Sequence, residues 1–292
     1  MERKICWQWD GTTVTLGMEE AGNGPPLLLL PALSSISTRV EMRCLLNQFA
    51  PHFHVVTVDW PGFGDLARPP ADWTPDVLSG FLNWFLSDIL PSPHGVVAAG
   101  HAATYALYQA VDRPNTTGRL VLISPTWRGP LPTMFGTYRS WFGRIRGAVD
   151  LAGIGPVLYR LNVNRFMVRR MGGEHVYSDP NWLSGDRLSA KLAVAHAQGA
   201  RHASARFVTG CLDRVDSRPQ FLDLVRSLNE PVLVIYGDET PPRSRAEMDA
   251  LAELPNVRME RLPKGKLSIH EEFPASIASI IRPFLMARRA SL

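Results

Sequence analysis

The groups in this chain that could move a proton or attack a carbonyl are few and scattered. His270 stands directly before Glu271 and Glu272, and Asp238 and Glu239 follow the apolar run Val232-Leu233-Val234-Ile235-Tyr236-Gly237. An imidazole held by a carboxylate can take a proton from a hydroxyl and return it to a leaving group, which makes His270 with Asp238 or Glu239 a candidate relay, although a surface histidine at a helix start beside Glu271 and Glu272 is the plainer expectation. Ser34, Ser35 and Thr38 supply hydroxyls, but no base is evident near them and they precede a helical stretch, so capping is their expected role. His101 follows Gly100 at the end of Val96-Val97-Ala98-Ala99 and is expected to point inward as a packed core histidine. Asp59 and Asp65 border a glycine-rich turn, where an Asp commonly organises the loop by accepting backbone N–H groups. Cys6, Cys44 and Cys211 are odd in number and far apart, without the paired spacing of a metal site; reduced thiols, no metal and no cofactor are expected.

The elements that would position these groups alternate. Pro26–Leu30, His54–Asp59, Val96–Ala99, Leu120–Ser124 and Pro231–Gly237 are continuous apolar runs, the pattern of strands buried on both faces. Helical patterns fall between them, over about Arg39–Phe49 and over Thr74–Leu90 with Thr74 as cap and Pro75 in the first turn. Later come a helix around Ser244–Leu254, a strand at Val257–Leu262 and a closing helix at Pro274–Met286, with a weaker first strand at Thr12–Met18. Strand and helix in alternation predict an α/β fold, a mostly parallel sheet with helices on both faces. The loops after Leu30 and Asp59 and the turn at Gly100–Ala102 would share the carboxyl edge of that sheet, where ligands bind in such folds.

Between Arg128 and Leu228 the alternation stops and helical patches follow one another, which predicts a helical cap inserted into a core formed by 1–127 and 229–292. Arg128 to Phe207 holds eleven Arg and one Lys against four acidic residues, a net +8 in a chain whose total is only +4. A basic insertion on an acidic body means that the two parts face different surroundings. The first ten residues lack a signal-peptide core and no apolar run reaches membrane-spanning length, which predicts a cytoplasmic protein. Nucleic acid is not an expected partner, because the basic residues form neither a dense stripe nor a known module.

Taken together these pieces resemble an α/β hydrolase. The set Asp59, Gly62, Gly64, Arg68 and Pro69, the strand ending at Gly237 and the ending Glu271-Glu272-Phe273-Pro274 carry the resemblance. The family typically places its nucleophile in a Gly-x-Ser-x-Gly turn between strand and helix. Laid on Gly100-His101-Ala102-Ala103-Thr104, that pattern puts Ala102 at the serine; the resemblance also puts Thr240 at the acid, Leu267 at the histidine and Pro31-Ala32 at the usual His-Gly. The chain therefore resembles a degenerate member without the Ser-Asp-His triad. Backbone N–H groups of Leu33 and Ala103 would remain as oxyanion donors, since such donors need no particular side chain.

The expected function is binding of a small, largely apolar ligand between core and cap without serine hydrolysis, at Leu33, Ser34, His101, Ala102, Ala103 and Trp127. Two alternatives stand beside it. One is an active hydrolase of ester-like substrates with relocated groups, His270 and Asp238; the other is an interaction protein whose basic cap meets an anionic membrane surface as a peripheral contact.

Overall fold

Side chains of a strand alternate between its two faces, so a sheet covered by helices on both sides needs apolar residues at every position. The computed structural model, which describes residues 1–287, shows this directly. The strands are β1 (Glu2–Trp9), β2 (Thr12–Ala21), β3 (Pro26–Leu30), β4 (His54–Val58), β5 (Gly95–Ala99), β6 (Arg119–Ile123), β7 (Val232–Gly237) and β8 (Val257–Leu262), in the order β1-β2-β4-β3-β5-β6-β7-β8. From β4 to β8 neighbours run parallel; β1 and β2 form an antiparallel hairpin that joins β4. Leu27, Leu29, Val97, Ala99, Val121 and Ile123 face one side and Leu28, Leu30, Val96, Ala98, Leu120 and Leu122 the other.

Each side is closed by helices that read as amphipathic. Toward the first face pack α1 (Arg43–Phe49), through Leu45, Leu46 and Phe49, and, from the end of the chain, the helix Pro274–Met286, through Ile277, Ile281 and Leu285. The second is covered by α2 (Pro75–Trp84) and α3 (Ala102–Asp112), with Leu78, Phe81, Leu82 and Leu107 fully or almost fully buried. Thr74 caps α2 by accepting the Val77 N–H, as its sequence requires.

The stretch between β6 and β7 carries α4 (Pro130–Phe135), α5 (Phe142–Asp150), α6 (Ile154–Asn162), α7 (Arg165–Met171), α8 (Gly185–Ala195), α9 (Ala200–Val208) and α10 (Arg218–Arg226). The core resumes with α11 (Pro242–Leu251), a single turn α12 (Ile269–Glu272) and α13 (Pro274–Met286). The one strand absent from the sequence reading is β1, whose outer edge is exposed and whose inward residues are only Ile5, Trp7 and, half-buried, Trp9.

One buried cation ties the first quarter of the chain together. The Arg39 guanidinium, 3% exposed, lies 2.6 Å from Asp59 and 2.7 Å from Asp65 and also contacts Glu2 and Glu19. Gly17 makes room for it: a Cβ there would collide with the guanidinium. Burial pushes the Asp59 carboxyl up to about 6 even though Arg39 pulls it down. Replacing Arg39 with Leu leaves Asp59 buried without its cation, so a loss of about 3–5 kcal/mol is expected in urea unfolding. That loss should shrink as pH falls toward about 6, because Asp59 without its cation takes up its proton at a higher pH than the parent's about 6, and should level off below that.

Candidate functional site

The carboxyl ends of β3, β5, β6 and β7 form one edge, and the turn after β5 lies at its middle. A chain that reverses from strand to helix in so few residues needs one residue at positive φ, a conformation glycine adopts without cost. That residue is Gly100, at φ +53, and the helix begins two residues on at Ala102. The apex of the turn is therefore Gly100 and not Ala102, which lies fully buried in the first turn of α3. The pattern of small, any, apex, any, small reads Ala98-Ala99-Gly100-His101-Ala102. Gly100 is the lone glycine of the run, the signal that could have fixed this register. A Cβ at Gly100 would stand 3.2 Å from the Ala32 side chain, so the apex faces the loop after β3.

The shifted apex changes the backbone donors. Ala103 gives its N–H to the Gly100 carbonyl at 3.3 Å and is not free; Thr126 donates to the same carbonyl at 3.1 Å. The N–H of His101, next after the apex, and that of Leu33 have no hydrogen-bond partner among the described residues. Ser34 is spent locally, its hydroxyl 2.8 Å from Ser37 and accepting from Ile36 N–H, and Thr38 caps the turn at Val40.

His101 is buried. Its Nε2 donates to the Leu212 carbonyl at 3.1 Å, a carbonyl that also accepts from the Tyr105 hydroxyl at 2.7 Å. Asp213 Oδ1 lies 3.4 Å from the same nitrogen and accepts the Gly129 N–H at 2.8 Å. Burial lowers His101 to about 4 and raises Asp213 to about 8, so the ring is neutral and anchors the segment before α10. Trp127 is buried too; its Nε1 donates to Glu247 at 3.1 Å and Arg128 stacks on its ring at 4.0 Å.

Leu267 is half-buried and packs on the elbow-side apolar cluster. Thr240 is buried with a hydroxyl that meets no partner among the described residues. Beside them is a residue the sequence reading missed: Ser124, at φ +44 and fully buried, reaches the Lys266 carbonyl at 3.3 Å. A hydroxyl at Thr240 and an aliphatic chain at Leu267 thus occupy the two positions where the resemblance would place charge.

The relay of His270 with Asp238 is not formed. Asp238 sits at the surface, bound by Arg261 at 2.6 Å, whereas His270 is 1% exposed with Nε2 3.5 Å from Glu41. The imidazole is thus enclosed beside a different carboxylate and is neither paired with Asp238 nor at the surface, where a histidine at a helix start is expected. His270 instead borders a buried ion cluster with no local sequence signal. Lys191 of α8 lies 3.0 Å from Glu271 and 3.6 Å from Glu41, and the Tyr177 hydroxyl donates to Glu271 at 2.6 Å. Glu41 in turn accepts the Ala32 N–H at 2.6 Å, which fixes the loop opposite Gly100. Burial would raise the Glu41 carboxyl, but His270 and Lys191 hold it below its ordinary value. Glu41, His270 and Glu271 bring donor atoms within 4.8 Å of one another, yet the Lys191 ammonium already neutralises that space, and a metal ion would face it directly. Next to the cluster, Glu272 accepts the Ser178 and Asp179 N–H groups, and Ser268 N–H bonds the Val176 carbonyl. These bonds lash the helical insertion to the loop after β8.

A crevice of about 310 Å³ opens at the carboxyl ends of β6 and β7, between the core and α4 and α10, lined by Pro125, Thr126, Trp127, Arg128, Thr133, Arg218, Arg243 and Glu247. A second hollow of about 150 Å³ lies by Gly118, Leu120, Pro231 and Val232, where β6 and β7 begin, away from the elbow.

The His101–Asp213 pair makes stability depend on pH. Between about pH 6.5 and 8 the folded Asp213 keeps a proton that the unfolded chain has lost, so stability falls as pH rises through this window. Asp213→Asn keeps the acceptor for Gly129 and removes that titration. The variant should stay flat over the window, so the difference between variant and parent should widen by up to about 2 kcal/mol from about pH 6.5 to 8, read from chemical denaturation.

Comparison with known proteins bears on the fold. No curated protein sequence matches the chain significantly. The structure is similar to a hydrolase from Pseudomonas aeruginosa (TM-score 0.73, 20% identity, 97% of this chain and 98% of that one). It is similar also to a serine hydrolase involved in carbazole degradation (0.72, 18%, 99% and 100%) and to the epoxide hydrolase CorEH (0.72, 17%, 97% and 98%). These likenesses show the fold. Residues 27–280 match the sequence profile of the alpha/beta hydrolase family, and by that match together with its mostly parallel eight-stranded sheet the chain belongs to the α/β hydrolase family.

Proposed function

We propose that this chain is a non-hydrolytic member of its family that binds a small molecule between the sheet edge and the helical insertion, which serves as its cap. The observation that carries the reading is Gly100: the residue at the apex of the elbow has no side chain, so no atom stands there to attack a carbonyl. What remains of the machinery is suited to holding a ligand. The unpartnered N–H groups of Leu33 and His101 can donate to a ligand oxygen, as oxyanion donors do without a nucleophile. Thr126 links the elbow to the crevice, since it lines the one and bonds the other. Trp127 and Pro125 offer an apolar wall there, and Arg128 and Arg243 at its margin favour a ligand whose apolar body ends in an acid or carbonyl group.

Short p-nitrophenyl esters and a fluorophosphonate probe test the reading. Turnover is expected to stay at the uncatalysed rate and intact mass to stay unchanged after the probe. Gly100→Ser should recover nothing, because Leu267 supplies no base. Saturable turnover together with a covalent adduct would overturn the reading. Titration with 1-naphthoate, an aromatic carboxylate of suitable size, should show saturable single-site binding that Thr126→Trp abolishes; lack of such binding in the parent counts against the ligand-binding half.

A further inference from the structure

The surface of the insertion holds a feature that neither the elbow nor the crevice uses. Helix α6 turns Gly155 and Tyr159 inward, the tyrosine hydroxyl bonding the Ala195 carbonyl at 3.0 Å and the Ser204 hydroxyl at 3.0 Å. Its outer side carries Ile154, Val157 and Leu161, spaced i, i+3 and i+7, and these are 60, 57 and 65% exposed. Leu151 just before α6 is 55% exposed and Phe166, in the first turn of α7, is 69% exposed. Single exposed apolar residues are ordinary; a row of them on one short helix and its two flanks is a docking feature.

Charge decides what docks. From Arg139 to Arg170 the chain holds seven Arg and one acid, Asp150. That acid is turned inward, 2.7 Å from His202 and 3.0 Å from Arg206. Arg160, Arg165 and Arg169, which flank the apolar row, are exposed and make no ion pair among the described residues. The face therefore offers aliphatic side chains framed by unneutralised guanidinium groups. A second copy would leave those cations facing one another, whereas an anionic bilayer supplies phosphate or carboxylate at the rim and acyl chain at the centre. Among the described residues no helix is long and apolar enough to cross a membrane, so the contact is one of lying on the surface.

We infer that the insertion docks on an anionic phospholipid surface through Ile154, Val157 and Leu161 of α6, with Leu151 and Phe166 at its ends and Arg160, Arg165 and Arg169 as its electrostatic rim. The contact is independent of what the crevice binds.

Co-sedimentation of the full chain with phosphatidylcholine vesicles, with and without phosphatidylglycerol, tests this. Partitioning is expected to rise at least about tenfold with the anionic lipid and to collapse in about 1 M salt, where the screening length falls to about 3 Å. Ile154→Ser/Val157→Ser/Leu161→Ser alters only exposed positions and should lose at least about tenfold in binding with an unchanged melting temperature. Arg160→Gln/Arg165→Gln/Arg169→Gln should lose the anionic preference alone. Equal partitioning onto neutral and anionic vesicles, or none onto either, overturns the proposal. So does light scattering that finds the parent chain dimeric and the serine variant monomeric, which would give this face to a second copy.

Discussion

The fold depends on a guanidinium kept out of water. Arg39 lies at the start of a short 3-10 turn, and the carboxylates around it come from the hairpin (Glu2, Glu19) and from the turn after β4 (Asp59, Asp65). Removing any ion of such a set leaves its partner desolvated, so the set holds together as a unit. Two residues on, Glu41 uses the position Arg39 has fixed and takes the Ala32 N–H, and Ala32 is the residue the elbow apex faces. The shape of the would-be catalytic floor is thus set by ions buried beneath it and not by the groups that line it.

A second set of buried charges does the same for the roof. Lys191 comes from α8, while Glu41, Glu271 and His270 come from the core, and Tyr177 joins them from the segment before α8. The resemblance to the family would put a working histidine in the loop that follows the last strand. Here that loop offers Leu267 to the apolar cluster, and the adjoining polar residues fasten the insertion.

The sequence disclosed those features that obey local rules. The strands β3 to β8 were legible because apolar runs bounded by turns leave little choice, and Thr74 with Pro75 marked the start of α2 without ambiguity. β1 escaped because its alternation is confined to Ile5, Trp7 and Trp9, after a charged start at Glu2-Arg3-Lys4, and its inward set is small. The turn after β5 was found but its register was misplaced by two: a motif match assigned Gly100 to the first glycine of a pattern, and only the backbone angle assigns it to the apex. Lys191 beside Glu41 and Glu271 was beyond reach, because nothing in a single sequence announces that three charges far apart along it will meet without water. The pairing of His270 with Asp238 failed for the related reason that proximity in a linear scheme said nothing about Arg261, which claims Asp238 at the surface.

The bonds from Ser268 to Val176 and from Glu272 to Ser178 and Asp179 bear on time as well as shape. A lid joined to its base by a flexible hinge opens in microseconds and lets a guest exchange freely. An insertion fastened by buried ions and main-chain bonds opens only when those bonds break together. A molecule lodged beneath it would leave at the rate of that local unfolding, so its residence time would report the strength of the Lys191 cluster more than the affinity of the surfaces touching it.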